Sequence, residues 1–158
     1  MNVNDEYFLK IAIDLAKENV ENKTGGPFGA VIVKDNIIIA KGKNSVTQSN
    51  DPTAHAEVSA IRNACKELNT FQLEGCTIYS SCEPCPMCLG AIYWARPKRL
   101  VFAATKEIAS KYNFDDSFIY NEINLELNQR SIETLQLKVS TMENPFIEWK
   151  NTVEKTEY

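Results

Sequence analysis

The sequence predicts an α/β fold of three layers, α/β/α, in which a mixed five-stranded sheet carries helices on both faces. Two β-branched runs at 30–33 and 37–40 flank Asp35-Asn36, the pattern of a tight hairpin. Beyond them, short strand-like runs alternate with helix-length amphipathic stretches, which is how a chain crosses over to parallel strands. Such a sheet has two apolar faces, and helices must cover both.

The first helix starts at Asn4 and Asp5. Phe8, Ile11, Ala12, Leu15 and Ala16 recur at helical spacing on one face, and the acidic first turn suits the positive end of the helix dipole. Gly25-Gly26-Pro27 ends the element. After the hairpin, Asp51-Pro52 opens a second helix whose Val58, Ile61, Cys65 and Leu68 lie on one side. A strand at 77–80, a helix at 86–95 and a strand at 99–103 follow, and Pro97 marks the break after the helix. Residues 106–128 read as helical with an interruption near 113–116. Leu135, Leu137 and Val139 alternate with polar residues and supply the fifth strand. Asn144-Pro145 is the cap-then-proline start of a short last helix. With no repeat, low-complexity tract or linker, residues 1–158 read as a single domain, which suits the length.

Seventeen basic against 21 acidic residues give a net charge of −4, so the totals lack the basic footprint of a nucleic-acid binder. The compact basic cluster Arg96, Lys98 and Arg99 reads as a surface turn. The longest apolar run, 89–95, is far short of the ~20 residues that span a bilayer. Residues 1–17 mix Asp5, Glu6, Lys10 and Asp14 among apolar side chains, so no signal peptide is expected. Together with an odd cysteine count of five, this makes a reducing cytoplasm the expected location. Metal binding or catalysis, not disulfides, should then explain the clustered cysteines.

Those cysteines stand in Ser80-Ser81-Cys82-Glu83-Pro84-Cys85-Pro86-Met87-Cys88. Upstream lies Thr53-Ala54-His55-Ala56-Glu57, which holds the only histidine. Thiolate and imidazole are preferred ligands of zinc, and a carboxylate two residues after the histidine points to proton chemistry. His-x-Glu followed by Pro-Cys-x-x-Cys is the signature of zinc-dependent nucleobase deaminases. Both motifs sit at strand-to-helix turns, where the crevice of such a sheet lies.

His55, Cys85 and Cys88 are therefore the candidate ligands of Zn2+. Three ligands leave a fourth position for a water whose pKa the metal lowers toward ~7, and Glu57 is the candidate group to take its proton. Along a regular helix two residues rotate a side chain by roughly 200°, so His55 and Glu57 should face apart. In a first turn, however, side chains lean back toward the N-terminus, and both then reach a point above the helix end. Cys85 takes the N-cap position, Pro86 fits N1 and Cys88 follows in the first turn. The competing reading is a closed staple that adds Cys82, a zinc-held interaction domain in which Glu57 is only a solvated first-turn charge. Pro84 pushes Glu83 into an extended conformation, which turns Cys82 away from the next two cysteines. Cys65 and Cys76 lack paired spacing and read as small buried hydrophobes.

On these residues the chain resembles the cytidine deaminase-like superfamily. Within it, the chain is similar to the bacterial guanine deaminases of that fold. Gly25 to Ala30, Asp51 to Glu57 and Ser81 to Cys88 carry the superfamily likeness, and Phe114-Asp115-Asp116-Ser117-Phe118 with Tyr158 the narrower one. The resemblance implies a zinc enzyme that converts guanine to xanthine and ammonia, with a small purine base as its partner and neither nucleic acid nor membrane. It implies that Phe28 stacks on the base, that Asn44 meets its polar edge as donor and acceptor, and that Ala56 belongs to the substrate-binding set. Asp116 would accept from the 2-amino group and share in catalysis. Spacing leaves open which of Asp115 and Asp116 turns inward; Asp116 is favoured. In such enzymes the C-terminal segment, about 130–158 here, crosses to the other subunit of a homodimer, so Tyr158 would complete a neighbouring site. The alternative is that Phe146 and Trp149 pack this segment on its own subunit. Other substrates consistent with the motifs are a nucleoside, another aminopurine, or adenosine in tRNA.

Overall fold

Asp35 and Asn36 both adopt positive φ, 49° and 62°, and fold β1 (Gly29–Lys34) back onto β2 (Ile37–Lys43) in the computed structural model, which describes residues 4–158. This mirror-image turn matches the twist of the flanking strands, and Asp and Asn tolerate it better than other residues with a Cβ. β3 (Thr77–Cys82) pairs antiparallel with β1 and parallel with β4 (Arg99–Ala104), giving the order β2-β1-β3-β4. The sheet is mixed, as expected, but among the described residues it has four strands rather than five. Residues 133–139 form no regular structure, and Leu135 and Leu137 are 75% and 81% exposed. Alternation makes a strand only where a neighbouring backbone offers its hydrogen bonds.

Helices cover both faces. On one, Val31, Val33 and Tyr79 pack with Phe8 and Ala12 of α1 (Asp5–Glu21). On the other, Ala30, Ile32, Ala40 and Ile78 pack with α3 (Ala56–Leu68) and α4 (Pro86–Ala95). β1 alternates between the two cores, as a central strand must. Cys76 is buried and Cys65 packs against the same cluster, in keeping with their reading as small apolar residues.

The buried stripe of α1 ends in a polar residue on either side, Asp5 and Asn19. Asp5 accepts a hydrogen bond from the Tyr79 hydroxyl at 2.8 Å and from both terminal nitrogens of Arg99 at 3.2 and 2.9 Å. Burial, and then the bond to Asp5, pushes the Tyr79 phenol up to about 12. Asp5→Ala should leave phenol and guanidinium without their shared acceptor and lower stability by about 2 kcal/mol. Urea denaturation of the two proteins checks this.

The second helix starts later than the sequence implies. Asp51 Oδ1 accepts from the Thr53 amide at 2.8 Å and its hydroxyl at 2.7 Å, a local turn that competes with helix. The helix α3 therefore begins at Ala56, after a short unforeseen helix, α2 (Val46–Ser49). Ala56, Ala60 and Ala64 form its buried face and let it lie close on the sheet. At Gly42 a Cβ would sit 2.1 Å from the Ala56 carbonyl oxygen and 2.5 Å from the Ala60 nitrogen, so only glycine permits the approach.

The chain divides into two compact units, one ending at Phe118 and the other Ile119–Tyr158. The first holds the sheet, its helices and α5 (Lys106–Ser110). The helical stretch expected over 106–128 is split at 111–116, where Asn113 has φ 67°, and resumes as α6 (Ser117–Ile123). The second unit holds a 3-10 turn, Leu127–Gln129, and α7 (Asn144–Asn151). There the Trp149 and Tyr158 rings lie 6.5 Å apart. Among the described residues no helix is long and apolar enough to cross a membrane.

Candidate active site

Two helix starts build the site. His55 is the N-cap of α3 (φ −71°, ψ 159°) and Cys85 the N-cap of α4 (φ −64°, ψ 167°), both in extended backbone. Neither side chain caps its own helix. Instead His55 Nδ1 lies 3.6 Å from Cys85 Sγ and 3.4 Å from Cys88 Sγ. The three donor atoms fall within 4.8 Å of one another. Zinc bonds of about 2.3 Å to sulfur and 2.0–2.1 Å to nitrogen set tetrahedral donors roughly 3.6–3.8 Å apart. The cluster thus fits a zinc ion in both donor chemistry and spacing. Because His55 precedes the helix, the opposition that a regular helix would impose on His55 and Glu57 does not arise.

The protons are shared within the cluster. Hydrogen bonds from Cys88 and His55 hold the Cys85 thiol well below its usual range, and the bond with Cys85 raises His55. Cys88, beside Cys85 and desolvated next to Glu57, to whose Oε2 its thiol donates, is pushed up. Cys82 ends β3 outside the group, with its Sγ 3.9 Å from the Thr105 carbonyl oxygen. Burial pushes its thiol up to about 11.

Glu57, the second residue of α3, is only 4% exposed. Its Oε1 accepts from the Ser80 hydroxyl at 2.9 Å, and its Oε2 lies 3.4 Å from Cys88 Sγ. Burial pushes the carboxyl up, favouring a group that holds a proton. Ala56, beside it, is fully buried.

Phe28 is half-buried and meets Phe114 edge to face, centroids 5.0 Å apart at 89°. Asn44 is buried, and its Oδ1 accepts from the Gly26 and Val46 amides at 3.3 and 3.4 Å. Its acceptor is thereby committed to the backbone. Of the two roles expected for this amide, only the donor Nδ2 is left for a ligand. Asn19, which the sequence reading passed over, donates to the carbonyls of Gly26 at 2.8 Å and Asn44 at 2.7 Å and ties the glycine turn to this residue. At Gly25 a Cβ would meet the Asn44 carbonyl oxygen at 2.0 Å. A polar residue in the apolar stripe of α1 was the available signal for Asn19.

The two adjacent aspartates diverge. Asp115 is exposed and accepts from the Ser117 amide at 2.9 Å at the start of α6, a bond that lowers its carboxyl. Asp116 is half-buried, and desolvation together with the charge on Cys85 raises it. Tyr158 lies in the second unit.

Residues 2–104 match the family described as the cytidine and deoxycytidylate deaminase zinc-binding region. The chain belongs to this family of zinc-binding deaminases. It is 57% identical over 156 residues to the guanine deaminase of Bacillus subtilis, across 99% of this chain and 100% of that protein. The X-ray structure of the Bacillus subtilis guanine deaminase matches with a TM-score of 0.96 over 100% of this chain and 99% of that one. A tRNA-specific adenosine deaminase of Aquifex aeolicus is 50% identical over 99 residues, covering 63% of this chain and 65% of that protein.

Proposed function

We propose that this chain is a zinc-dependent guanine deaminase that hydrolyses guanine to xanthine and ammonia. The observation that carries the reaction class is the His55, Cys85 and Cys88 cluster with a buried carboxylate at its edge. The full-length likeness to a guanine deaminase supports the substrate. His55, Cys85 and Cys88 would hold the zinc, with Cys82 turned to Thr105 and outside the set. Zinc bound there supplies Lewis-acid activation of the attacking water. Glu57 would take a proton from the attacking water and give it to the purine ring nitrogen, then carry the proton of the newly bound hydroxyl to the amine, so that the C–N bond breaks and ammonia departs. Phe28 stacks on the base, Asn44 donates to a purine acceptor from Nδ2, and Ala56 lies beside Glu57 at the head of α3.

Asp116 accepts from the amino group that is to leave. An ionised carboxylate accepts only, so it selects an edge that carries a donor. Asp116→Ala should lower kcat/KM for guanine by about 10- to 100-fold with zinc content unchanged. Wild-type kinetics in that variant would remove Asp116 from the site.

The working unit in this reading is a homodimer, in which the segment of about 130–158 crosses over and Tyr158 of the partner subunit completes each pocket. Two observations support it. Leu135 and Leu137 are apolar, alternate with polar residues and lie exposed. Among the described residues, Gly90, inside α4, has nothing beyond its own helix within 4 Å of where a Cβ would stand, beside Tyr93 and Trp94 at 76% and 64% exposure. A mid-helix glycine costs about 1 kcal/mol against alanine and gains nothing here within one chain. A chain whose five cysteines are all free suits the cytoplasm.

The relative acting on tRNA favours a second reading, adenosine in RNA as substrate. Against it, Arg99 is held by Asp5, which thins the compact basic cluster. Ammonia release from zinc-loaded protein distinguishes the readings when guanine, guanosine, adenine, cytosine, cytidine and an adenosine-bearing tRNA are compared. Release from guanine alone is expected; release only from the RNA would overturn the proposal. Silence on every base would leave a zinc-held interaction domain.

A further inference from the structure

Alternation along β3 directs Ile78, Ser80 and Cys82 to the face covered by α3 and α4, and Ile78 fills its place in that core. An aliphatic residue is what this register asks of position 80. Ser80 is instead a hydroxyl only 1% exposed, opposite Ala30 on β1 and Phe102 on β4. A buried hydroxyl needs a partner, and this one donates to Glu57 Oε1 at 2.9 Å. A serine has one proton, so the bond commits it. The other oxygen of the carboxylate, Oε2, is the one beside the cluster, 3.4 Å from Cys88 Sγ.

We propose that Ser80 is a positioning residue for the deamination: by fixing Oε1 it makes Oε2 the single oxygen of Glu57 that takes up and returns the proton. The inference rests on the function proposed above. Ser80 itself neither gains nor loses a proton in the cycle. Without it the carboxylate can rotate about its last torsion, which is broad for a carboxyl group, and its two oxygens exchange places. Proton transfer depends on hydrogen-bond geometry, so the loss should fall on turnover and not on substrate affinity.

The test uses full-length, zinc-loaded Ser80→Ala, Ser80→Thr and Ser80→Val, the last pair being nearly equal in shape and differing in the hydroxyl. Ser80→Ala and Ser80→Val should lower kcat by about 10- to 100-fold, with KM and zinc content held within about twofold, while Ser80→Thr restores most of the rate. A kcat for Ser80→Ala within about twofold of wild type overturns the proposal, as does a rise in KM with kcat held, or loss of zinc. If Ser80→Ala is too unstable to assay, comparison of threonine with valine decides; if Ser80→Val is, comparison of threonine with alanine does. A second readout does not depend on the substrate: the 13C signal of the Glu57 side-chain carboxyl, assigned with Glu57→Gln. It should shift in Ser80→Ala and return in Ser80→Thr even if guanine proves inert, in which case the proposed substrate fails and the positioning role stands. A signal that stays in place removes the role.

Discussion

Glu57→Gln is expected to lower kcat for ammonia release from guanine by about 100- to 10,000-fold while the protein keeps its zinc. Glutamine has nearly the shape of glutamate, and its amide oxygen can still accept from Ser80, which now donates to Oε1 at 2.9 Å. It cannot accept a proton from water and return it. Glu57 is also outside the ligand group, so the metal should not depend on it. Paired measurements of turnover and zinc content therefore separate a proton carrier from a surface charge. A glutamine variant as active as wild type would show that the buried carboxylate is a bystander.

Cys85→Ala should abolish zinc retention and reduce ammonia release to background. Cys85 caps α4 and faces His55, the cap of α3, so one ion at this point fastens two helix starts from different crossovers. A ligand bound a thousandfold above its dissociation constant stabilises the folded state by about 4 kcal/mol. In a chain of this size that corresponds to a melting point lower by roughly 10 °C in the variant. Chelation of the wild-type protein should reproduce the drop. Cys82→Ala is the contrast: its sulfur is turned to Thr105, so zinc and activity should survive. Equal zinc loss from Cys82→Ala and Cys85→Ala would mean the sulfurs act as one closed set.

What could be read in the sequence was what local chemistry decides. Asp35-Asn36 announced the hairpin because few other pairs accept two successive positive φ values. His55, Cys85 and Cys88 could be grouped because their spacing at helix starts is a local property, and the structure brings them together. Where two local preferences compete, the reading slipped: the turn around Asp51 and Thr53 delays α3 to Ala56. Long-range partners were out of reach. Asn19 and Ser80 are polar residues in apolar registers, intelligible only once Asn44 and Glu57 are found opposite them. Leu135, Leu137 and Val139 show a strand's alternation, but pairing is decided by a neighbour's backbone, which no pattern in the segment itself specifies. Asp115 and Asp116 are chemically identical, and only the amide of Ser117 and the desolvation of the second tell them apart.

X-ray absorption at the zinc edge of the wild-type enzyme tests the centre of this account most directly. Two sulfurs at about 2.3 Å, one imidazole nitrogen and one further light atom are predicted. A shell of three sulfurs and one nitrogen would contradict it, because the position reserved for chemistry would then be occupied by Cys82.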